Sequence, residues 1–458
     1  MKSRIAAGGG VPIGTLMVIG GLVLASLGAG AQISPGAGHF APPRRPDPVP
    51  PQAARGDVSV WGGGGLTLQR KAVFELRDWD GAGADCTGRT DSSPFLNGLT
   101  GSTDPTGTSF TISGRDCSLL RADHWVVQGQ EYLELDLGPK GPGTRGQGGT
   151  WLFGCSGSGA TLQINRSGYT HVHGGAIVAN SYLCPGHTSS LTGSIEYTNS
   201  GSDGYTSTHN KLSDTYLAPG MNGEVISGYK AYWIHGTPNQ EEFRLRDVEI
   251  GCNFSPGSIG FYSDDVNADS TTWDGGGVEG CYRGVEMDAG RVRLYSLNSS
   301  YNGGYGVFGP GGASIYENGG CVTTIEETVW AEGSGQFLNM AGDSSYNNCG
   351  AARFWRSNQI RFDDIDPAAY PVNLNAGVLI LAANSFGTYK PLSQIHNGVL
   401  VGTDLPATGL TVGVVDLGGN TASACCGVPL PLTLPSVYGS TGAQATRPQD
   451  RSRHVLGK

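Results

Sequence analysis

Gly260-Phe261-Tyr262, Gly284-Val285-Glu286, Gly306-Val307-Phe308 and Gln336-Phe337-Leu338 each open a short run in which apolar and polar residues alternate. The anchors Phe261, Val285, Val307 and Phe337 stand 24, 22 and 30 residues apart. A turn followed by a short alternating strand, returning roughly every 20–30 residues, is the signature of a parallel β-solenoid. Each turn of such a coil leaves an apolar edge that only the next coil covers. Side chains point in and out by turns, so the outward ones stack into ladders along the surface. The expected fold class is all-β, a parallel β-helix.

Composition agrees. Glycine supplies 76 of 458 residues, well above the usual share of about 7%. Charged residues are 15%, against about 25% in an ordinary soluble domain. Ser, Thr and Asn fill the difference. The net charge of -10 offers no basic stripe to meet phosphates, which argues against a nucleic-acid partner.

The ends read differently. Lys2 and Arg4 precede an apolar stretch from Val11 to Leu27, and Ala29-Gly30-Ala31 follows. That is the order of a secretory signal peptide, cleaved after Ala31. An uncleaved anchor is the alternative, and only then is a membrane a partner. Residues 32–57 are Pro-rich and read as an extended linker. Residues 58–107 form an N-terminal cap region, 108–420 the β-helix and 421–458 a tail, disordered at its end. The expected location is secreted or extracytoplasmic, the cell surface included.

Cysteine usage fits export. The first eight cysteines fall into consecutive pairs, Cys86/Cys117, Cys155/Cys184, Cys252/Cys281 and Cys321/Cys349, separated by 31, 29, 29 and 28 residues. Residues one coil apart stack at strand spacing, within the reach of a disulfide. Free buried thiols acting as small hydrophobes are the alternative. Cys425 and Cys426 complete the ten.

Coils are traced through Leu133–Leu137, Thr150–Gly154, Ala160–Ile164, Ala176–Val178, Phe243–Leu245, Val248–Ile250 and Val378–Leu381. Ser189 to Asn222 is poorer in pattern and reads as an excursion from the coil. Near the start, Phe74-Glu75-Leu76 runs into Asp80-Gly81-Ala82-Gly83-Ala84-Asp85-Cys86, then Thr90-Asp91-Ser92 opens a segment with Phe95, Leu96 and Leu99. Asp91 or Ser92 is placed to cap a helix.

At these residues the chain resembles the pectate-lyase-like superfamily of single-stranded right-handed β-helices, in its rhamnogalacturonase- and epimerase-like branch. Members begin with a strand, Gly-Ala-x-Gly-Asp-Gly, then Thr-Asp-Asp/Ser and a capping helix. Gly81-Ala82, Asp85 and Thr90-Asp91-Ser92 match, and Cys86 stands where a glycine is usual. The resemblance implies a right-handed coil with an N-terminal capping segment and a polysaccharide or other glycan as partner. Asn384-Ser385-Phe386 is similar to the asparagine-containing turn of the family's late coils. Of the family's reaction motifs, Asp264-Asp265 is the one fragment present. Gly-His-Gly, Arg-Ile-Lys, Asp-Pro-His and Trp-Ile-Asp-His are absent.

The chemistry is sought in an acidic group, Asp264, Asp265, Asp269, Asp274, Glu279, Glu286 and Asp288. Asp264 follows Phe261 by three residues, and Asp288 follows Val285 by three. Equivalent positions on neighbouring coils lie about 5 Å apart. Two such carboxylates raise one pKa or share a cation such as calcium. Glycosidases need a carboxylate pair at this kind of separation. Asp264, Asp265, Asp288 and Glu286 are therefore the candidate catalytic residues, the alternative being a solvated ladder of turn aspartates. A lyase would need a base for the α-proton. No lysine lies between Lys230 and Lys390, which leaves Arg244, Arg246, Arg283, Arg291 and Arg293 in the middle coils. His171 and His173 share a strand face and read as a metal pair lacking a third ligand, or as a polar face. Trp233, Tyr262, Trp273, Tyr282, Tyr301, Tyr305 and Trp330 divide between core and sugar-stacking surface. Two functions stay open: a glycoside hydrolase or polysaccharide lyase, and a non-catalytic glycan-binding or adhesive surface.

Overall fold

The computed structural model describes residues 72–101, 109–140, 149–200, 206–236, 240–341, 352–375, 377–404 and 412–432. They are all-β, with long parallel sheets. Ten strands form one parallel sheet in strict chain order: β1 Trp125–Gln128, β2 Ala160–Asn165, β3 Gly193–Asn199, β4 Lys230–Gly236, β5 Ile259–Ser263, β6 Arg283–Met287, β7 Ala313–Glu317, β8 Gln336–Met340, β9 Val372–Asn373 and β10 Val401–Gly402. Between them the chain passes through a second network of 21 strands. Among the described strands of that network one pairing is antiparallel, Thr421–Ala424 with Val428–Pro429.

Alternation sorts each strand into an inner and an outer row. The inner row of the ten-stranded sheet runs Trp125, Leu162, Ile195, Tyr232, Phe261, Val285, Ile315, Leu338, Val372 and Val401 in direct register. All ten are buried. Two rows of the second network face the same core. One runs Leu245, Trp273, Leu294, Ile325, Trp355 and Leu381. The other runs Ile250, Val278, Ser299, Trp330, Ile360 and Phe386. Like side chains therefore stack on like, as where Tyr232 lies on Phe261 with ring centroids 5.3 Å apart.

Two of the four sequence anchors hold register, and two do not. Phe261 pairs with Val285. Val285 then pairs with Ile315, not Val307. Val307 sits on a single helical turn, Tyr305–Phe308, and is 56% exposed. Gly309, at φ 76°, ends that turn, a conformation that favours glycine. Gly306-Val307-Phe308 mimics the pattern because three residues cannot separate a helical turn from a strand. Leu338, one residue beyond Phe337, is the partner of Ile315. Ser189 to Asn222 is no excursion. It contains β3 and the strands Lys211–Ser213 and Tyr216–Ala218. Its pattern was faint because β3 is buried at every position, polar Glu196 and Thr198 included.

The disulfides Cys86–Cys117, Cys155–Cys184 and Cys252–Cys281 join neighbouring repeats, with Cα atoms 4.5, 5.2 and 4.9 Å apart. Cys321 is also disulfide-bonded. Cys425 and Cys426 are free thiols. The helix α1, Ser93–Thr100, lies along β1, where Asn97 accepts the Val126 N–H at 2.7 Å and Thr100 accepts the Trp125 indole N–H at 3.0 Å. Ser92 holds the N-cap position but spends its hydroxyl on the Asp85 N–H, and the Asp91 carboxylate takes the Ser93 N–H. The signal peptide, the Pro-rich linker, residues 58–71, Cys349 and the end of the tail lie outside the described residues. Among the described residues no helix is long and apolar enough to cross a membrane.

Candidate functional site on the ten-stranded sheet

The outer row of the ten-stranded sheet runs Gln163, Glu196, Trp233, Tyr262, Glu286, Tyr316, Asn339 and Asn373 in unbroken register. Charge and aromatic area concentrate at its middle, on β4, β5 and β6. Lys230 opens β4 and lays its ammonium over two rings, 3.8 Å from the Trp233 centroid and 4.1 Å from that of Tyr262. Burial pushes the Lys230 pKa down, while Asp264, Glu286, Asp288 and Glu196 pull it back up. A half-buried ammonium among carboxylates keeps its charge near its partners and yields its proton more readily than a solvated one.

Asp264 and Asp288 stand one residue beyond the ends of β5 and β6. The register of Phe261 with Val285 puts them at equivalent positions, both outward. His235 Nδ1 lies 2.9 Å from Asp264. The Tyr262 hydroxyl donates to Asp288 at 2.8 Å, and Asn318 donates to its other oxygen at 3.3 Å. Burial and the Asp288 contact both push the Tyr262 phenol far above its ordinary value, so it stays a donor and Asp288 stays the acceptor.

Glu286 is buried, 5% exposed. Its Oε1 pairs with Arg283, whose guanidinium lies 3.4 Å over the Tyr316 ring. Its Oε2 is buried without a hydrogen-bond partner. Burial lifts the Glu286 pKa above the usual carboxylate range. Arg283 opposes that shift, Asp288 adds to it, and Lys230 opposes it again. A carboxyl with one paired and one bare oxygen is suited to carry a proton on the bare one.

Asp265 does not join this group. It is 1% exposed, accepts from the Gln240 amide and the Asn267 N–H at 2.8 Å each, and braces a turn. Burial lifts its pKa as well. Neighbours in an extended chain face opposite ways, so only one of Asp264 and Asp265 can line the outer face. Asp269 pairs with Arg291 at 3.5 Å. Asp274 and Glu279 lie on Thr271–Glu279 in the second network, as do Arg244, Arg246, Arg291 and Arg293 on its other strands. Trp273 and Trp330 are core.

Sequence reasoning missed Lys230 and His235. Both lie one repeat before the acidic stretch, and the spacing of Trp233 from Tyr262 would have found them. The acidic ladder does not bring three ligand atoms together in the manner of a metal site. Among the described residues Glu134, His171 and His173 do so, and Glu134 is a third donor group that the sequence pattern did not reveal. No protein-family model, curated protein or solved structure matches this chain.

Proposed function

We propose that this chain is an exported right-handed parallel β-helix of the pectate-lyase-like kind, capped at its N-terminal end, that cleaves a polysaccharide on the outer face of its ten-stranded sheet. Parallel strands in chain order and the Asp85 turn support the fold reading. Three disulfides support export, because such bonds persist in oxidising compartments. The observation that carries the functional reading is Glu286. It is a buried carboxyl with a bare oxygen and a raised pKa, beside ionisable groups of both signs, and such groups concentrate at sites of acid–base chemistry.

The reaction that this set supports best is glycoside hydrolysis. Protonated Glu286 gives its proton to the leaving glycosidic oxygen. Asp288, which accepts hydrogen bonds from Tyr262 and Asn318, is the partner carboxylate, acting on a water. Residues two apart along an extended chain are separated by roughly 6.6 Å, close to the span used by inverting enzymes. Asp264, held by His235, is the neighbouring acid at strand spacing. A second reading, a non-catalytic glycan-binding surface, is favoured by one observation: Asp264, Asp288 and Glu286 Oε1 already have partners within the protein.

The test is a panel of neutral and acidic polysaccharides incubated with the secreted protein, scoring reducing ends and unsaturated uronates separately. Reducing ends without unsaturation support hydrolysis. Unsaturated products would move the chemistry to Lys230 as the base and overturn the hydrolase assignment. Retention on a polysaccharide gel without product would establish the binding reading.

A further inference from the structure

A second cluster lies away from the ten-stranded sheet. Glu134 and Asp136 are on the strand Leu133–Lys140, and His171 and His173 are on His171–Val178. The strands are parallel neighbours with Glu134 opposite His171 and Asp136 opposite His173. Alternation points all four to the outer face. One ligand atom from each of Glu134, His171 and His173 lies within 4.8 Å of the other two.

We propose that Glu134, His171 and His173 bind one divalent transition-metal ion, zinc by preference. Two imidazoles and one carboxylate are a recurring zinc donor set that leaves a fourth position open. Imidazole nitrogen selects for zinc, copper or nickel over calcium and magnesium. The cluster is also braced as metal ligands are. His173 Nε2 faces Glu134 at 3.1 Å, while its Nδ1 stands 3.7 Å from Asp136. At 3.7 Å the Asp136 carboxylate is beyond hydrogen-bond length but faces the ring's other nitrogen, the side from which a carboxylate sets a metal-bound imidazole's orientation once it closes. Thr111 donates to the far oxygen of Glu134 at 3.1 Å. His171 Nε2 lies 2.9 Å from the Ser213 hydroxyl. Arg115 and the Gly138 N–H hold Asp136 at 3.1 and 2.8 Å. Small side-chain rotations bring the three donors to the ~3.4 Å separation that ~2.1 Å tetrahedral bonds require. All three ligand residues are partly exposed, so an ion has a path in.

The experiment uses the full secreted chain, stripped with chelator and with Cys425 and Cys426 alkylated. Zinc chloride is titrated calorimetrically, and cobalt(II) is followed by its visible absorption. The expected result is one zinc per chain and a cobalt band of tetrahedral intensity. His173→Ala and His171→Ala each weaken zinc binding at least about a hundredfold, and Asp136→Asn weakens it roughly 10–100-fold. Circular dichroism checks the fold, and Asp136→Asn carries the test if an alanine variant does not fold. No saturable zinc uptake by the wild-type chain, or equal uptake by the variants, would overturn the site and leave the cluster a hydrogen-bonded polar face.

Discussion

Glu286 shows how one side chain takes its chemistry from its neighbours. It sits in the outer row, yet Arg283 and Tyr316 fold over it and remove most of its water. Glu286→Gln and Asp288→Asn should each cut turnover at least about a hundredfold, the lower range for losing acid–base catalysis, with the circular dichroism spectrum unchanged. Under the hydrolase proposal, the raised Glu286 pKa should set the basic limb of the pH–rate profile, with kcat/KM falling as pH rises through it because the acid is then ionised. Glu286→Gln should erase that limb, and a limb that persists in the variant would assign the proton to another group. Asp85 works in the opposite direction. Burial pushes its carboxyl up, but hydrogen bonds from the backbone and hydroxyls of Thr87 and Thr90 outweigh burial and hold it well below the carboxylate range. A depressed pKa contributes stability above the unfolded value near 3.9 and loses it as pH falls toward the folded one. Urea midpoints at pH 6 and pH 3 should therefore differ less in Asp85→Asn than in wild type.

Elements are locked together by two devices. One is a buried asparagine ladder. Asn358 donates to the Ile325 carbonyl at 3.0 Å and to Asn384 Oδ1 at 2.9 Å, and Asn384 donates to the Trp355 carbonyl at 3.2 Å and to Asn420 at 3.0 Å. The ladder closes the same corner of three successive repeats. Asn358→Ala strands several buried backbone and side-chain groups, so urea unfolding should show a loss of about 2–4 kcal/mol. An unchanged midpoint would mean that water replaces the amide. The other device is the disulfide between repeats. Replacing both Cys252 and Cys281 by alanine should cost about 3–4 kcal/mol if the closed loop acts through unfolded-state entropy. The cysteine pairing was readable because the cysteines recur at repeat spacing, whereas of the asparagine ladder only the Asn384 turn was noted in the sequence. The helical turn at Tyr305–Phe308 was not readable, since its glycines look like those of any strand-flanking turn.

At the scale of the molecule each strand of the ten-stranded sheet contacts chiefly the strands before and after it. Stability in such an array is close to a sum of neighbour interfaces. The middle strands β4 to β7 have long neighbours on both sides, whereas β9 and β10 are two residues each. Hydrogen exchange by mass spectrometry should therefore show β4 to β7 opening last and β9 and β10 opening first. Uniform protection would mean that the whole array unfolds as one unit.

By itself the sequence determined the parallel all-β class, the repeat, the one-repeat spacing of the cysteines and the alignment of Asp264 with Asp288. Each is a consequence of periodicity, and periodicity is a local property. Of the seven acids named, four were candidate catalytic residues, and three of those, Asp264, Glu286 and Asp288, lie together on the outer face. The tertiary structure decided the rest. It turned Asp265 inward, because adjacent residues on a strand face opposite sides and only packing chooses which one is covered. It brought Lys230 and His235 from β4 beside the acids on and just beyond β5 and β6, and Glu134 onto His171 and His173 from 37 and 39 positions away along the chain. Those meetings depend on the number of residues each intervening loop absorbs, and that number follows from how the loops pack.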